Sequence, residues 1–202
     1  MKVLIACEES QEVCKAFRAR GHEAYSCDLQ DCSGGHPEWH LKMDALEAIK
    51  LKQWDLMIGH PPCTYLAHAG NRWLTRPGRI ELQKEALNFF IALYHSPIEK
   101  IALENPRGHV SRLFKKESQV IQPYHFGHAE RKYTCLWLKN LPPLMSTLIV
   151  PDGMKPTKYI IRKTGNRAGG RYGYYFHQKA GNAKNRSKTF PGIAKAMAEQ
   201  WG

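Results

Sequence analysis

Two residues of this sequence, a cysteine and a glutamate, each follow a short apolar run that stops abruptly. Cys63 comes directly after Pro61 and Pro62, and Glu104 is followed by Asn105 and another proline. A thiol can act as a nucleophile and a carboxyl group as an acid, so the pair suits covalent catalysis. The alternative reading is that Cys63 is an ordinary buried cysteine beside a structural turn.

The two apolar runs, at residues 56–58 and 101–103, predict buried parallel strands of an α/β sheet. The span between them holds one loop and one helical pattern, at residues 80–94, which is the content of a right-handed crossover. Neighbouring parallel strands end at the same edge of a sheet. We therefore expect Cys63 and Glu104 to lie close together at that edge.

The amino-terminal part has the pattern of a nucleotide-binding half-unit. Residues 3–6 predict a strand, residues 11–20 an amphipathic helix ended by Gly21, and residues 23–28 a second strand that ends in Asp28. A carboxylate at that position commonly accepts hydrogen bonds from a ribose.

Composition limits the class of protein. The chain has 202 residues, 43% of them hydrophobic, which suits one domain with a real core. No apolar run approaches the roughly 20 residues that span a bilayer, and residue 1 leads straight into a strand, so we expect a soluble, unprocessed, cytoplasmic protein. A net charge of +12 favours a polyanionic partner, and the six cysteines are expected to be thiols.

At Pro62-Cys63 and Glu104-Asn105 the sequence resembles the DNA cytosine 5-methyltransferases, in particular small, phage- or prophage-like members, although Pro106 stands where the family usually has valine. The resemblance implies a Rossmann-like S-adenosylmethionine-dependent methyltransferase sheet, of the α/β class, with helices on both faces and a small basic appendage. It also implies methyl transfer to carbon 5 of a flipped cytosine in duplex DNA, in a bacterial or phage-infected cell.

The resemblance assigns catalytic roles residue by residue. Cys63 would be the nucleophile, Glu104 the acid and Asn105 the residue that orients the loop. Arg131 is the candidate for a late basic residue that reaches the base or its phosphates, with Lys132 as the alternate, and either could instead be a surface charge. The apolar residues 101–103 are expected to raise the pKa of Glu104 by desolvation.

The resemblance also assigns residues to S-adenosylmethionine. Asp28 would bind the ribose and Asp44 the adenine amino group, although Asp44 could instead cap a helix at residues 45–51. The first loop lacks the family's glycines. A carboxylate from Glu8 or Glu9 could bind the cofactor's ammonium group, or both carboxylates could interact with the positive amino-terminal end of the following helix. The full predicted cofactor set is Ala6, Cys7, Glu8, Glu9, Asp28, Asp44, Pro61 and Pro62.

Two stretches are candidates for contact with nucleic acid. Residues 64–78 form a basic, aromatic loop that could close over the base, or could be a solvated surface loop. Residues 151–188 contain ten basic residues and one acid, interleaved with aromatic rings. This segment could contact phosphates and bases, or it could be a flexible, solvated segment without a specific ligand. The predicted contacts are Arg72, Arg76, Lys158, Arg162, Lys163, Arg167, Arg171 and Tyr174.

The chain divides into three predicted parts. Residues 1–150 form the catalytic domain, residues 151–188 a reduced recognition segment, and residues 189–202 a helix that returns to the catalytic domain. Within the first part, residues 122–128 and 133–138 predict two late strands.

Other kinds of site and function fit less well. Cys27, Cys32, His36 and His40 are residue types that bind zinc, but their spacing does not match paired-ligand patterns, so no metal is predicted. A zinc nucleobase deaminase would need a second cysteine shortly after Cys63, which is missing. A catalytically silent nucleic-acid-binding protein, and thiol-dependent modification with another donor or in RNA, remain as alternatives.

Overall fold

The computed structural model of the chain describes residues 1–151, 155, 158–161, 171–174 and 187–202. The strands in these ranges are β1 (Lys2–Ala6), β2 (Glu23–Asp28), β3 (His40–Lys42), β4 (Leu56–Gly59), β5 (Lys100–Pro106), β6 (Gln119–Ile121), β7 (Thr134–Lys139), β8 (Lys158–Ile161) and β9 (Arg171–Tyr174). The α-helices are α1 (Glu12–Arg18), α2 (Ala45–Lys50), α3 (Arg79–Tyr94), α4 (Val110–Leu113) and α5 (Pro191–Trp201). Short 3₁₀ helices cover Pro37–Trp39, His68–Trp73 and Pro123–His125.

Seven of the strands form one mixed sheet in the order β3-β2-β1-β4-β5-β7-β6. The first five are parallel neighbours, in the 3-2-1-4-5 order of a doubly wound nucleotide-binding sheet. β7 enters antiparallel between β5 and β6. The α/β Rossmann-like fold predicted from the sequence is thereby confirmed.

Both faces of the sheet are buried, which explains why its central strands are continuous apolar runs. Along β1, Val3 and Ile5 belong to one hydrophobic cluster, together with residues of α1 and α5. Leu4 and Ala6 point the other way, into a cluster that includes residues of α2 and α3. Helices therefore lie on both faces of the sheet, with α1 in contact with α5.

One predicted strand was wrong. Residues 122–128 do not pair in the sheet; β6 ends at Ile121, and the chain then turns through the 3₁₀ helix that begins at Pro123. Proline has no N–H to donate to a ladder, and Gly127 adopts a φ of 85°, which an extended strand does not use. The second late strand, predicted at residues 133–138, is confirmed as β7.

The backbone of β8 and β9 forms a separate antiparallel pair, in which Lys158 stands opposite Tyr174 and Ile161 opposite Arg171. None of the helices in the described ranges combines the length and apolar character needed to cross a bilayer.

Candidate active site

The Pro-Cys loop and the Glu-Asn dipeptide meet at the carboxyl edge of the sheet. Gly59 at the end of β4 is paired with Leu103 of β5, so the next residues, His60 and Glu104, lie side by side. The His60 N–H donates to the carbonyl of Ala6, at 2.9 Å, which continues the pairing with β1 by one residue.

Asn105 fastens the loop that carries Cys63. Its side chain is only 1% exposed, and its Nδ2 donates to the carbonyl oxygen of Pro61 at 2.8 Å. Because Pro61 and Pro62 already restrict the backbone, this one hydrogen bond fixes the direction in which the loop leaves the sheet. Cys63, two residues further on, is exposed to solvent.

A second tie holds the chain that follows Cys63. Ala67 forms a bridge with Gly108, and the N–H of His109 donates to the carbonyl of Leu66 at 2.7 Å. A Cβ on Gly108 would lie 2.0 Å from that carbonyl oxygen, so only glycine permits the two loops to come this close.

The Glu104 carboxyl is buried and only partly paired. Oε2 lies 3.3 Å from Nδ1 of His60, whereas Oε1 is buried and has no hydrogen-bond partner among the described residues. Burial raises the pKa of this carboxyl, but Lys132 and His60 together outweigh burial and hold the pKa below its usual range. Desolvation does raise this pKa, as expected from the apolar residues 101–103, but the net shift is downward because charges from other segments of the chain outweigh it.

Lys132, rather than Arg131, faces this carboxyl. Lys132 lines a narrow pocket together with His60 and Glu104, and its positive charge acts on both Glu104 and Cys63. The guanidinium of Arg131 instead lies 5.8 Å from the ring centre of Tyr124. The structure therefore brings the alternate basic residue, and not the first candidate, to the thiol and the carboxyl.

Helix α5 closes the other side of this pocket. The residues that line the pocket are His60, Glu104, Lys132, Thr134, Thr189, Phe190, Ile193 and Met197. Half of these residues come from α5 and the two positions before it. The carboxyl-terminal segment thus contributes uncharged residues to the lining of a pocket that also contains three titratable groups.

The surroundings of the Cys63 thiol raise its pKa above the ordinary value. Although the residue as a whole is exposed, the atoms packed around its sulfur desolvate the thiol and raise its pKa. The negative charge of Glu104 raises that pKa further, while Lys132 lowers it.

The first loop, after β1, reaches its shape without glycine. Cys7 and Gln11 adopt left-handed backbone, with φ of 59° and 58°. The buried Gln11 side chain supports this conformation: its Nε2 donates to the carbonyl of His36 at 2.7 Å, and its Oε1 accepts from the N–H of the same residue at 3.1 Å. The loop is also tied by the N–H of Ser33, which donates to the carbonyl of Glu9 at 2.7 Å.

Glu8 serves helix α1. Its two carboxylate oxygens accept from the N–H groups of Val13 and Cys14, at 2.7 Å and 3.2 Å. Of the two roles considered for this carboxylate, the structure shows the contact with the positive end of the helix. Burial raises the pKa of Glu8, and His60 is the largest influence that lowers it.

Asp28 is the last residue of β2, and Asp44 follows the neighbouring parallel strand β3 by two residues. Oδ1 of Asp28 accepts from the N–H of Gln30 at 2.9 Å, and Oδ1 of Asp44 accepts from the N–H of Leu46 at 2.7 Å as the N-cap of α2. Burial, and then the negative charges of Asp28 and Asp44, raise the pKa of Cys7. The predicted cofactor residues Asp28, Asp44 and Cys7 are thus brought together, next to Ala6 at the end of β1.

In the loop after Cys63, arginine side chains lie over aromatic rings. The Arg76 guanidinium lies 3.6 Å from the ring centre of Trp73, and that of Arg72 lies 4.8 Å from the same ring. Arg79 covers Tyr65 at 4.2 Å and donates to the carbonyl of Thr64 at 2.7 Å. Arg72 and Arg76 are exposed and available to a polyanion.

The other predicted nucleic-acid contacts fall on the basic segment. Lys158, Arg171 and Tyr174 stand in the β8-β9 pair, whose backbone alone is described. Arg162, Lys163 and Arg167 lie outside the described residues.

Cys27, Cys32, His36 and His40 all lie in described ranges, where no group of three or more His, Cys, Asp or Glu side chains is arranged to hold a metal ion. Cys27 donates to the carbonyl of Met43, and His40 contacts Ser26 at 2.8 Å.

Sequence reasoning did not single out His60, which contacts Glu104. The residue stood between the apolar run of β4 and the two prolines, which is the first position beyond a strand end. His60 could have been identified from its position. It follows the predicted strand at residues 56–58, and Glu104 stands at the equivalent position at the end of the next predicted strand.

The strand order and the side chains gathered at its carboxyl edge define an α/β protein of the Rossmann-like class. No family model matches the chain, and neither does any curated protein sequence. Among solved structures, it resembles a protein described as a DNA modification methyltransferase encoded within a prophage of E. coli, at 13% identity and a TM-score of 0.48. The alignment covers 80% of this chain and 56% of that one, so the chain spans little more than half the length of its neighbour.

Proposed function

We propose that this protein transfers a methyl group from S-adenosylmethionine to carbon 5 of cytosine in DNA through a covalent adduct with Cys63. One observation carries the proposal: the Cys63 thiol, the buried Glu104 carboxyl and Lys132 converge at the carboxyl edge of β4 and β5. The buried oxygen Oε1 of Glu104 has no partner in the described part of the chain, as expected of an atom that meets a substrate.

Carbon 5 of cytosine is a poor nucleophile, which explains the need for a thiol and an acid together. Cys63 gives its proton to water and adds to carbon 6, while Glu104 donates a proton to ring nitrogen 3, so that carbon 5 becomes the nucleophilic end of an enamine. After methyl transfer, water takes the proton from carbon 5 and the bond between carbon 6 and sulfur breaks. The proton on nitrogen 3 then returns to Glu104.

Lys132 has a definite electrostatic part in this scheme. Its positive charge favours the thiolate of Cys63 over the thiol, against the effects of burial and of Glu104. Asn105 holds the loop through Pro61, which keeps the sulfur in one place relative to the carboxyl. Both residues therefore act on the nucleophile before any substrate arrives.

The cofactor would be held at the carboxyl ends of β1 and β2. Asp28 accepts one backbone hydrogen bond through Oδ1, and its second oxygen suits ribose hydroxyls, while Asp44 suits an amino group; Ala6, Cys7, Glu9, Pro61 and Pro62 complete the proposed set. S-adenosylmethionine supplies an electrophilic methyl group when bound. Glu8 is not included, because both of its oxygens already accept hydrogen bonds from α1.

Duplex DNA would be held by cations around the thiol. Arg72 and Arg76 flank Trp73 on the loop that follows Cys63, so they are suited to contact phosphates beside the extruded base. Lys158, Arg162, Lys163, Arg167, Arg171 and Tyr174 would extend this contact along the basic segment.

The test is to incubate the purified protein with duplex DNA and S-adenosylmethionine, digest the DNA, and identify the nucleosides by mass spectrometry. We expect 5-methylcytosine with the native protein and none with Cys63→Ala, whose binding to DNA should be retained. A different modified nucleoside would overturn the reaction assigned here. Intact DNA binding with no product under any cofactor condition would instead indicate a catalytically silent nucleic-acid-binding protein.

A further inference from the structure

His60 has the environment of a group that exchanges protons. Its side chain is 11% exposed, and that of Glu104 is 14% exposed, so their contact at 3.3 Å is largely removed from water. The second ring nitrogen of His60, Nε2, is buried and has no hydrogen-bond partner among the residues that the structure describes. A histidine that served only to fill space would rarely leave a buried ring nitrogen unpaired.

Charged groups face His60 from three elements. Glu104 approaches from β5, Lys132 from the segment before β7, and Glu8 from the loop after β1, where His60 influences its pKa. Helix α5 and the residues before it contribute Thr189, Phe190, Ile193 and Met197, none of which carries a charge. Among the described residues, His60 therefore has two carboxyl groups and one lysine in its surroundings.

The chemistry at Glu104 needs a proton that Glu104 alone does not hold near neutral pH. An ordinary glutamate carboxyl is ionised near neutral pH and cannot donate a proton. At Glu104, burial raises the pKa, but Lys132 and His60 outweigh burial and keep the pKa below its usual range. Imidazole is the side chain that gains and loses a proton between about pH 5 and 8. His60, which contacts Glu104, is thus a residue type that can supply this carboxyl with a proton.

We propose that His60 and Glu104 share one proton, and that His60 is the positioning residue that lets Glu104 act as the acid toward the pyrimidine ring. This inference rests on the function proposed above. His60 acts through Glu104 and carries no bond to the substrate.

The proton shared by His60 and Glu104 is returned to the pair at the end of each turnover. In the proposed cycle the shared proton starts on the His60 side of the contact, in which Nδ1 lies 3.3 Å from Oε2 of Glu104. When the base binds, the N–H bond breaks and an O–H bond forms, which leaves a neutral imidazole and a neutral carboxyl. The O–H bond breaks as ring nitrogen 3 is protonated. On release of Cys63, that proton returns to Glu104 and then to His60.

The first test measures the reaction. Single-turnover rates are compared across about pH 5.5 to 8.5 for the native protein, His60→Asn and the control His125→Asn, a half-buried histidine elsewhere. Asparagine can still donate a hydrogen bond to Glu104 but cannot titrate. We expect His60→Asn to be about 100-fold slower at pH 7.5 and to gain rate as the pH falls, while the control keeps the native profile.

A uniform loss of rate at every pH would overturn the inference, because it would indicate a role in shape alone. A double variant gives an independent check. If His60 acts through Glu104, then His60→Asn introduced into Glu104→Gln should cause little further loss. Additive losses would show that the two residues act separately.

The second test does not depend on the reaction, so it separates failure of this inference from failure of the proposed function. Carboxyl carbon resonances of labelled glutamate are followed by NMR during a pH titration of the protein without DNA. A shared proton predicts a second inflection of the Glu104 resonance, which disappears in His60→Asn. One Glu104 inflection, identical in both proteins, would overturn the pair even if methyl transfer were established.

Discussion

Replacing Asn105 by alanine should release the loop that carries Cys63. The change removes the hydrogen bond of 2.8 Å to the carbonyl of Pro61 and leaves that buried oxygen unpaired. A buried polar group that loses its partner costs about 1–3 kcal/mol, so we expect the free energy of unfolding to fall by about 2 kcal/mol. Urea denaturation at constant slope would measure this loss.

The matched control is Gln119→Ala. Gln119 also holds a loop through its side-chain amide, with hydrogen bonds of 2.8 Å to both the carbonyl and the N–H of Leu144. It lies on β6, outside the candidate site, and its loss should cost about as much stability. The two variants therefore separate a general loss of stability from an effect on the thiol.

The distinguishing assay is alkylation of Cys63 by iodoacetamide, followed by peptide mass spectrometry. In Asn105→Ala the released loop should be better solvated, so the raised pKa of the thiol should move back toward its ordinary value and alkylation should become faster. Methyl transfer should fall by about 100-fold, because a displacement near 1 Å is enough for such a loss. A fall of less than about 0.5 kcal/mol in the free energy of unfolding of Asn105→Ala, with the same alkylation rate as Gln119→Ala, would show that this hydrogen bond does not hold the loop.

Two further variants test the neighbouring surfaces. Burial raises the pKa of Glu8, so its stabilising contribution is complete below the unfolded value of about 4.3 and is lost as the pH rises through the folded value. Between about pH 4 and 7, the native protein should therefore lose more unfolding free energy than Glu8→Gln, and parallel stability curves would contradict this. Arg76→Ala should weaken DNA binding and reduce the salt dependence of log K by about one unit in fluorescence anisotropy. Lys50→Ala, on α2, is its control, and equal effects of the two variants would rule out a specific contact at Arg76.

The sequence was sufficient for the parts of the fold that local patterns determine. Apolar runs buried on both faces predicted β1, β4 and β5, and Gly21 marked the end of α1 with its φ of 83°. The proximity of Cys63 to Glu104 followed from topology alone, because parallel strands joined by a crossover end at one edge.

The environment of Glu104 could not be predicted from the residues next to it in the sequence. Its neighbours along the chain are apolar and suggested a raised pKa, whereas Lys132 and His60, which reverse the shift, come from other segments. The choice between Arg131 and Lys132 likewise depended on which of two adjacent side chains lines the pocket beside Glu104. Such choices are set by tertiary packing, and sequence spacing does not record them.

The side chain of Gln11 has a consequence for how the protein opens. Gln11 pairs with the N–H and carbonyl of His36 in the way that a neighbouring strand would, and Ser33 donates to the backbone of Glu9. Residues 33–36 are therefore joined to the first loop, although they contain no regular element of their own before the 3₁₀ helix. Their amide hydrogens should exchange with solvent together with those at the start of α1, as one cooperative unit, and more slowly than those of a surface turn.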